Sequence, residues 1–175
     1  VDDIREHMLY FLENHDEQRI ASDFFCGDAR RALPALVAGA CMGTNPFMLY
    51  AGEEVGERGM DCEGFSGCDG RTTIFDYWGV PGLQKILLGT DSMTDGEKAL
   101  YEYHRKVITL CNTSEALREG AFYDLMYANY DRTCGFNPDK QFAFLRKTDE
   151  EVLLIVCNFD ENDRSAGIRI PNHAF

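Results

Sequence analysis

Two uninterrupted apolar runs near the start of the chain are each followed by a polar block. Residues Met8–Leu12 are followed by Glu13–Asp16, and residues Phe47–Ala51 are followed by Gly52–Glu54. Because no polar residue alternates within either run, each run predicts a strand that is buried on both faces. The polar blocks then lie where the strands end.

The segment between the two runs has the signals of a helix. Asp28 is a suitable N-cap, Gly43 marks the C-terminal end, and Pro34 either kinks the helix or marks its true start. Strand, helix and strand in this order predict a parallel βαβ unit with a right-handed crossover. Both polar blocks are then expected at the same edge of the sheet, where ligands bind in α/β proteins.

A long loop and a second helix are predicted after the second strand. Residues 55–96 are rich in glycine and lack periodicity, so we expect a loop that packs over one face of the protein. Residues 95–120 predict a long helix that ends at Gly120, and its apolar positions are Leu100, Tyr103, Val107 and Leu110.

Beyond Gly120 the apolar spacing changes to that of strands. The segments FAFLRK and VLLIVCNF flank TDEE and predict a hairpin, with short strands at 122–127 and 168–170. We therefore expect an α/β protein in two parts. A parallel βαβα segment occupies residues 1–120, and a small antiparallel module occupies residues 121–175.

Composition and charge restrict the class of ligand. The chain has 175 residues, of which 45% are hydrophobic, and a formal net charge of -13. Such a charge repels a nucleic-acid backbone and an anionic membrane surface, so we expect a neutral or cationic ligand. No apolar run approaches the roughly 20 residues of a membrane span, which favours a soluble protein, cytoplasmic or periplasmic.

The seven cysteines are odd in number and scattered, and several lie in apolar segments. Reduced, buried thiols are the favoured state. Cys62 and Cys68 are close enough in sequence for a loop disulfide or half of a zinc site, but no CxxC pair or nearby histidine completes a four-ligand pattern.

Four segments occur in an order known from one enzyme family. They are FLENHDEQR, NPFMLYAGEE, GRTTIFDYW and the hairpin module. In this order they resemble the α-amylase family of glycoside hydrolases, family thirteen. The resemblance implies the last strands of a catalytic (β/α)8 TIM barrel in residues 1–120, with an Asn-His-Asp region after the seventh strand. It also implies the start of an all-β sandwich domain in residues 121–175.

The resemblance assigns roles to the polar blocks. Asp16 would stabilise the transition state, because anionic groups are favoured beside an oxocarbenium-like sugar ring. His15 would donate a hydrogen bond to hydroxyls of the same sugar. Asn14 would orient its neighbours, and Glu54 would lie at the mouth of the barrel.

Each assignment has a structural alternative. Polar residues at a strand end also cap the next helix, and His15 alternatively is a satisfied structural histidine. Arg19 either pairs with Glu13 or Asp16 or lies in solvent. The aromatic side chains of Tyr77 and Trp78 either stack on a pyranose ring or pack in the core.

The implied function is that of part of a larger retaining glycosidase. Its nucleophile and general acid would lie upstream of Val1, so this chain is expected to be an inactive carboxy-terminal piece that carries only the stabiliser Asp16. The expected substrate is an α-1,4-glucan such as starch, glycogen or a maltodextrin. The alternatives are a transglycosylase of the same family, a non-catalytic scaffolding relative and a free-standing carbohydrate-binding module.

No cofactor is expected in this chain, although a larger parent enzyme of this family can require calcium. Two strands taken from an eight-stranded barrel would leave unpaired edges. The isolated chain is therefore expected either to self-associate through these open edges or to be partly disordered in residues 55–80.

Overall fold

The computed structural model describes residues 4, 7–61, 68–75 and 79–174. The chain divides into two compact units. The first contains Val1–Leu33 and Asn45–Ile108, and the second contains Pro34–Thr44 and Thr109–Phe175. The sequence interpretations of Cys62, Tyr77 and Trp78 concern residues outside the described part of the chain.

The sheet of the first unit has two short parallel strands. Strand β1 (Tyr10–Phe11) pairs with strand β2 (Phe47–Met48), with Tyr10 opposite Phe47 and Phe11 opposite Met48. The predicted parallel pairing is confirmed.

The prediction that the first strand is buried on both faces is wrong, since Phe11 is 43% exposed and two preceding apolar residues are exposed as well, Met8 and Leu9. Within the described residues this sheet has only two strands, so β1 has no second neighbour beside it.

The first predicted helix begins with the predicted cap. Asp28 Oδ1 accepts the backbone N–H of Arg30 at 2.9 Å, and a 3-10 turn follows at Ala29–Ala32. Helix α1 (Leu33–Cys41) continues from that turn and ends before Gly43. Pro34 therefore marks the start of the α-helical part, where its missing N–H costs no hydrogen bond.

A short helix that the sequence interpretation missed lies inside the predicted long loop. Helix α2 (Pro81–Leu88) has proline in its first turn and ends at Gly89. These two residues are the usual signals of a helix start and end. The sequence interpretation missed this helix because it treated the glycine-rich residues 55–96 as one continuous loop.

The second long helix is interrupted. Helix α3 (Asp95–Thr113) is followed by α4 (Glu115–Arg118), and Ser114 caps α4 by accepting the N–H of Leu117 at 3.2 Å. The predicted apolar face is only partly right. Leu100 and Val107 are buried together with His104, whereas Tyr103 and Leu110 are substantially exposed.

The second unit contains a three-stranded antiparallel sheet. Strand β3 (Ala121–Asp124) pairs with β4 (Gln141–Lys147), which pairs with β5 (Val152–Asn158), so the predicted hairpin is confirmed. The first predicted short strand ends early, because helix α5 (Met126–Asn129) follows it.

The central strand β4 is the core of the second unit. On one face Ala143 and Leu145 pack with Leu125, Phe136 and Ala174. On the other face Phe144 packs with Cys41 and Leu117.

The strand predicted at residues 168–170 is absent from the described residues, and this prediction is wrong. Ile168 and Ile170 instead pack against the first of these two clusters from irregular backbone. The alternation of apolar residues at 168 and 170 reflects the burial of these two side chains and not the pairing of a strand. In the described part of the chain, no helix has the length and apolar character needed to cross a membrane.

Candidate active site at the strand ends

The polar block after β1 forms a tight turn that presents two adjacent side chains. Asn14 Oδ1 accepts the backbone N–H groups of Asp16 at 2.9 Å and Glu17 at 3.0 Å. Such a side-chain cap fixes the turn without secondary structure. His15 Nε2 lies 3.4 Å from Asp16 Oδ1, and their side chains are 45% and 72% exposed. The predicted placement of His15 beside Asp16 after the first strand is confirmed.

The backbone of Asp16 is also tied to a distant loop. Arg71 Nε donates to the carbonyl oxygen of Asp16 at 2.8 Å, and Arg71 Nη1 lies 3.3 Å from Asp69 Oδ2. The backbone at Asp16 is therefore held from two sides, by Asn14 and by Arg71. Its carboxylate remains accessible to a ligand.

Glu54 follows the carboxyl end of β2. It lies in a 3-10 turn at Glu53–Val55, and its Oε2 accepts the backbone N–H of Gly52 at 2.9 Å. Because β1 and β2 are parallel, Glu54 and the Asn14 turn follow the same edge of the sheet. Glu54 therefore lies at the sheet edge expected for both polar blocks, and its hydrogen bond to Gly52 gives it a local structural contact.

A buried arginine connects the two strand ends. We call it the Arg19 cluster, and its members are Glu13, Arg19, Tyr50, Ala51 and Thr72. Arg19 Nη1 donates to Glu13 Oε2 at 2.8 Å, and Nη2 donates to Ala51 O at 2.7 Å and to Thr72 Oγ1 at 2.8 Å. Its guanidinium lies 4.0 Å from the centre of the Tyr50 ring.

The sequence left two alternatives for Arg19, pairing or solvation, and the structure shows the pairing. Burial raises the pKa of Glu13 above its ordinary value, and Arg19 and the N–H of Ile20 offset part of that rise. The Glu13 carboxylate is 3% exposed, so it cannot touch a substrate. Glu13 and Arg19 anchor the turn that carries His15 and Asp16.

Two further buried acids were not singled out from the sequence. Glu57 accepts backbone N–H groups from Arg58, Gly59 and Gly82 at 2.6–3.0 Å. Glu53 Oε1 has no hydrogen bond in the described structure, and His104 Nε2 lies 3.9 Å away. A cluster of acidic residues directly after a predicted strand could have pointed to Glu53 and Glu57. The sequence does not show which of these acidic side chains are buried.

The described residues offer no cluster of three or more histidine, cysteine, aspartate or glutamate side chains that could hold a metal ion. The site consists of the exposed Asp16 carboxylate and His15 imidazole on a turn that follows the buried Glu13–Arg19 pair. Such a turn can hydrogen-bond hydroxyl groups and place negative charge beside a developing cation.

No protein-family model matches the chain. One characterised protein matches most of it. Over 156 residues, which are 89% of this chain and 23% of the relative, the chain is 28% identical to a cyclomaltodextrinase of Bacillus sp.. The chain resembles the α-amylase family of glycoside hydrolases.

Solved structures contain the same fold over most of this chain. A mutant of AmyP in complex with maltotriose has a TM-score of 0.56 and 20% identity, covering 87% of this chain and 31% of AmyP. An isomaltulose synthase mutant of Erwinia rhapontici, in complex with D-glucose, has a TM-score of 0.51 and 18% identity, with 87% and 34% covered. The chain thus spans about a quarter of the cyclomaltodextrinase and about a third of each solved chain.

Proposed function

We propose that this chain is the carboxy-terminal portion of an α-amylase-type glycoside hydrolase that cleaves α-1,4-glucosidic bonds by a retaining mechanism. Residues 1–120 would supply the last strands of its (β/α)8 barrel, and residues 121–175 would begin its all-β domain. The observation that carries the proposal is the exposed His15–Asp16 pair at the carboxyl end of β1. The family resemblance supports it.

Asp16 is the residue proposed to act on the reacting sugar. The transition state of glycoside cleavage carries positive charge on the ring, and a carboxylate fixed beside the ring stabilises it. The Asn14 turn and the contact with Arg71 hold this backbone before substrate binds, so little reorganisation is needed. His15, beside it, donates to a sugar hydroxyl.

The remaining predicted residues have supporting roles. Asn14 acts through the turn, because its Oδ1 already accepts two backbone N–H groups. Glu54 shapes the mouth of the site. Trp78 stays a proposed substrate contact. The nucleophile and the general acid come from the rest of the parent enzyme, which leaves this chain inactive by itself.

The proposed substrates are α-glucans such as starch, glycogen and maltodextrins. The relative is named for a cyclic maltodextrin, AmyP was solved with maltose, and a mutant of AmyP was solved with maltotriose. The second candidate function is transglycosylation, in which the glycosyl group is transferred to a second sugar. The similarity to an isomaltulose synthase favours retaining this candidate. A calcium requirement, if the parent enzyme has one, would concern the rest of that enzyme in this proposal, and we expect no cofactor in this chain.

Product analysis of the full-length parent on maltoheptaose tests the proposal. Hydrolysis yields only sugars shorter than seven units, whereas transfer also yields longer ones. Binding without turnover would support a scaffolding relative or a binding module and contradict the enzyme assignment. The 175-residue chain is expected to release no reducing sugar, and turnover by it would contradict the proposed division of the active site.

Self-association of the isolated chain through its open sheet edges is part of the same proposal. Light scattering of the purified 175-residue chain is expected to give a mass above that of a monomer. Partial disorder of residues 55–80 is the alternative way for the chain to accommodate its open edges, so a monomer at all concentrations together with low mobility across residues 55–80 would contradict the proposal.

A further inference from the structure

Two cysteines that are far apart in sequence are in contact in the second unit. Cys41 is the last residue of α1, Cys111 lies near the end of α3, and their Sγ atoms are 3.7 Å apart. Cys111 also points its thiol towards the carbonyl oxygen of Ala40 at 3.6 Å. Cys41 and Cys111 are both free cysteines. The contact therefore joins two thiols.

A buried cation lies beside this pair. Arg146, on the central strand β4, is 1% exposed, and its guanidinium donates to the carbonyl oxygens of Cys41, Leu117 and Gly120 at 2.7–3.3 Å. Its Nε has no hydrogen-bond partner in the described structure. None of the described carboxylates forms an ion pair with it, although a buried charge normally requires an opposite one.

Two neighbours of Cys111 favour its thiolate, whereas the Ala40 carbonyl accepts from its thiol form. The hydrogen bond from Cys41 and the charge of Arg146 lower the pKa of Cys111 below its ordinary value, against the effect of burial. The bond to Cys111 and burial raise the pKa of Cys41. For Cys157, burial raises the pKa to about 11.

The solvent exposure of the two thiols also indicates that Cys111 reacts first. Cys111 is partly exposed, whereas Cys41 is only 2% exposed. An oxidant therefore reaches Cys111 first, and Cys41 lies next to it as the second thiol. A low-pKa, accessible cysteine beside a second thiol is the usual arrangement of an oxidisable pair.

We propose that Cys41 and Cys111 form a reversible disulfide when the protein meets a hydroperoxide. The Cys111 thiolate attacks one peroxide oxygen, the O–O bond breaks, and a sulfenic acid and one water form after proton uptake. The Cys41 sulfur then attacks the sulfenic sulfur, and hydroxide leaves with the Cys41 proton as a second water. Two thiols lose two electrons and two protons, and hydrogen peroxide is reduced to two waters.

The proposal concerns the second unit alone and does not depend on the proposed glycosidase function. It also makes a distinction within the chain. Among the described residues, neither Cys26 nor Cys134 has a thiol contact like that of Cys41 with Cys111, so we expect oxidation to link Cys41 and Cys111 in preference to either of them.

The test is peptide mapping of the wild-type protein after treatment with hydrogen peroxide and blocking of remaining thiols with N-ethylmaleimide. We expect a linked peptide containing Cys41 and Cys111, with the loss of two hydrogens, that disappears after dithiothreitol. If both cysteines are still labelled while Cys134 is oxidised, or if they link to other cysteines, the proposal is wrong. Because this peptide mapping uses the wild-type protein, misfolding of a variant cannot affect its result.

Variants separate the roles of the two thiols. In Cys41→Ser, Cys111 should stop at the sulfenic acid, which dimedone traps, and in Cys111→Ser neither product should form. Cys26→Ser is the matched control and should link as the wild type does. Equal dimedone labelling of wild type and Cys41→Ser would contradict the role of Cys41 as the second thiol.

The pH profile of iodoacetamide labelling tests the effect of Arg146. In the wild type, Cys111 should react with a midpoint below the usual value of about 8.5 and Cys157 with one above it. Arg146→Lys keeps the charge and should largely keep the Cys111 midpoint, whereas Arg146→Met should raise it. Below the midpoint, each unit of rise slows labelling about tenfold. A wild-type Cys111 midpoint at or above that of Cys157 would overturn the proposed order of attack.

Discussion

Arg19 donates to the Glu13 carboxylate at 2.8 Å, and the two side chains are 1% and 3% exposed. The same guanidinium binds the backbone after β2 at Ala51 and the side chain of Thr72. One buried cation thus connects the ends of both parallel strands. The turn that carries Asp16 starts directly after Glu13, so its position depends on this pair.

Replacing Arg19 with methionine should strongly destabilise the protein. The change leaves the Glu13 carboxylate buried without a counter-charge, and loss of one partner of a buried pair typically costs about 3–5 kcal/mol. Urea unfolding followed by circular dichroism measures the effect. Arg58→Met is the matched control, because Arg58 pairs with Asp23 at the surface and such a pair contributes under about 1 kcal/mol. Similar losses in both variants would contradict the importance of burial.

The behaviour of Arg19 shows what the sequence does and does not determine. Its charge made a pair with Glu13 one of the alternatives, but its burial depends on Thr72, which is 53 positions away. Contacts over that distance follow from the fold and not from local spacing. The placement of His15 and Asp16 was predictable because it follows from the end of one strand and the direction of its neighbour.

The secondary structure divides in the same way. The β4–β5 hairpin was predictable from apolar segments on either side of a short polar turn, which is local information. The buried face of α3 was not, because His104 is buried where Glu53 lies close to it, while Tyr103 is exposed. The contact between His104 and Glu53 therefore makes the buried face of α3 different from the face that apolar spacing alone predicts.

Asp16→Asn in the full-length parent should lower turnover of soluble starch by on the order of 10²–10³, because one stabilising charge beside the transition state is lost. The turn should survive, since it rests on Asn14 and the backbone. Reducing-sugar release measures the change. Glu17→Gln alters the next carboxylate in the same turn and should leave turnover nearly unchanged. An unaffected Asp16→Asn enzyme would refute the proposed role of Asp16.

His104 should give the protein a pH-dependent contribution to stability. Burial alone would lower the pKa of His104, but the Glu53 carboxylate and the Leu100 carbonyl raise it above its ordinary value. A raised folded-state pKa means that the protonated form stabilises the fold. The contribution is full below the unfolded value of about 6.5 and is lost as the pH rises through the raised folded value.

Urea unfolding of wild type and His104→Gln at a series of pH values tests this. The advantage of the wild type should be larger at acidic than at alkaline pH. In a Glu53→Gln background the pH-dependent part should shrink, because the carboxylate that raises the pKa of His104 is gone. A wild-type advantage that grows with rising pH would show that His104 is neutral in the folded state.

Gly120 should tolerate no side chain, because backbone surrounds it. A Cβ at this position would lie 2.3 Å from Ala116 O and 2.8 Å from Lys147 O. Neither oxygen is the end of a flexible side chain, so α4 and β4 would have to move apart. The Gly120 carbonyl also accepts from Arg146 at 2.7 Å, and that movement would disturb a cation that is already short of partners.

Gly120→Ala should therefore cost about 1–3 kcal/mol, as overpacking of a tight site does. Gly96→Ala is the matched control, since a Cβ there meets nothing within 4 Å and the residue lies in α3. Alanine favours a helix over glycine by up to about 1 kcal/mol, so this control should be neutral or stabilising. Urea unfolding of both variants decides the point. If the two alanines have the same effect, general loss of glycine flexibility and not the close approach of α4 and β4 governs this position.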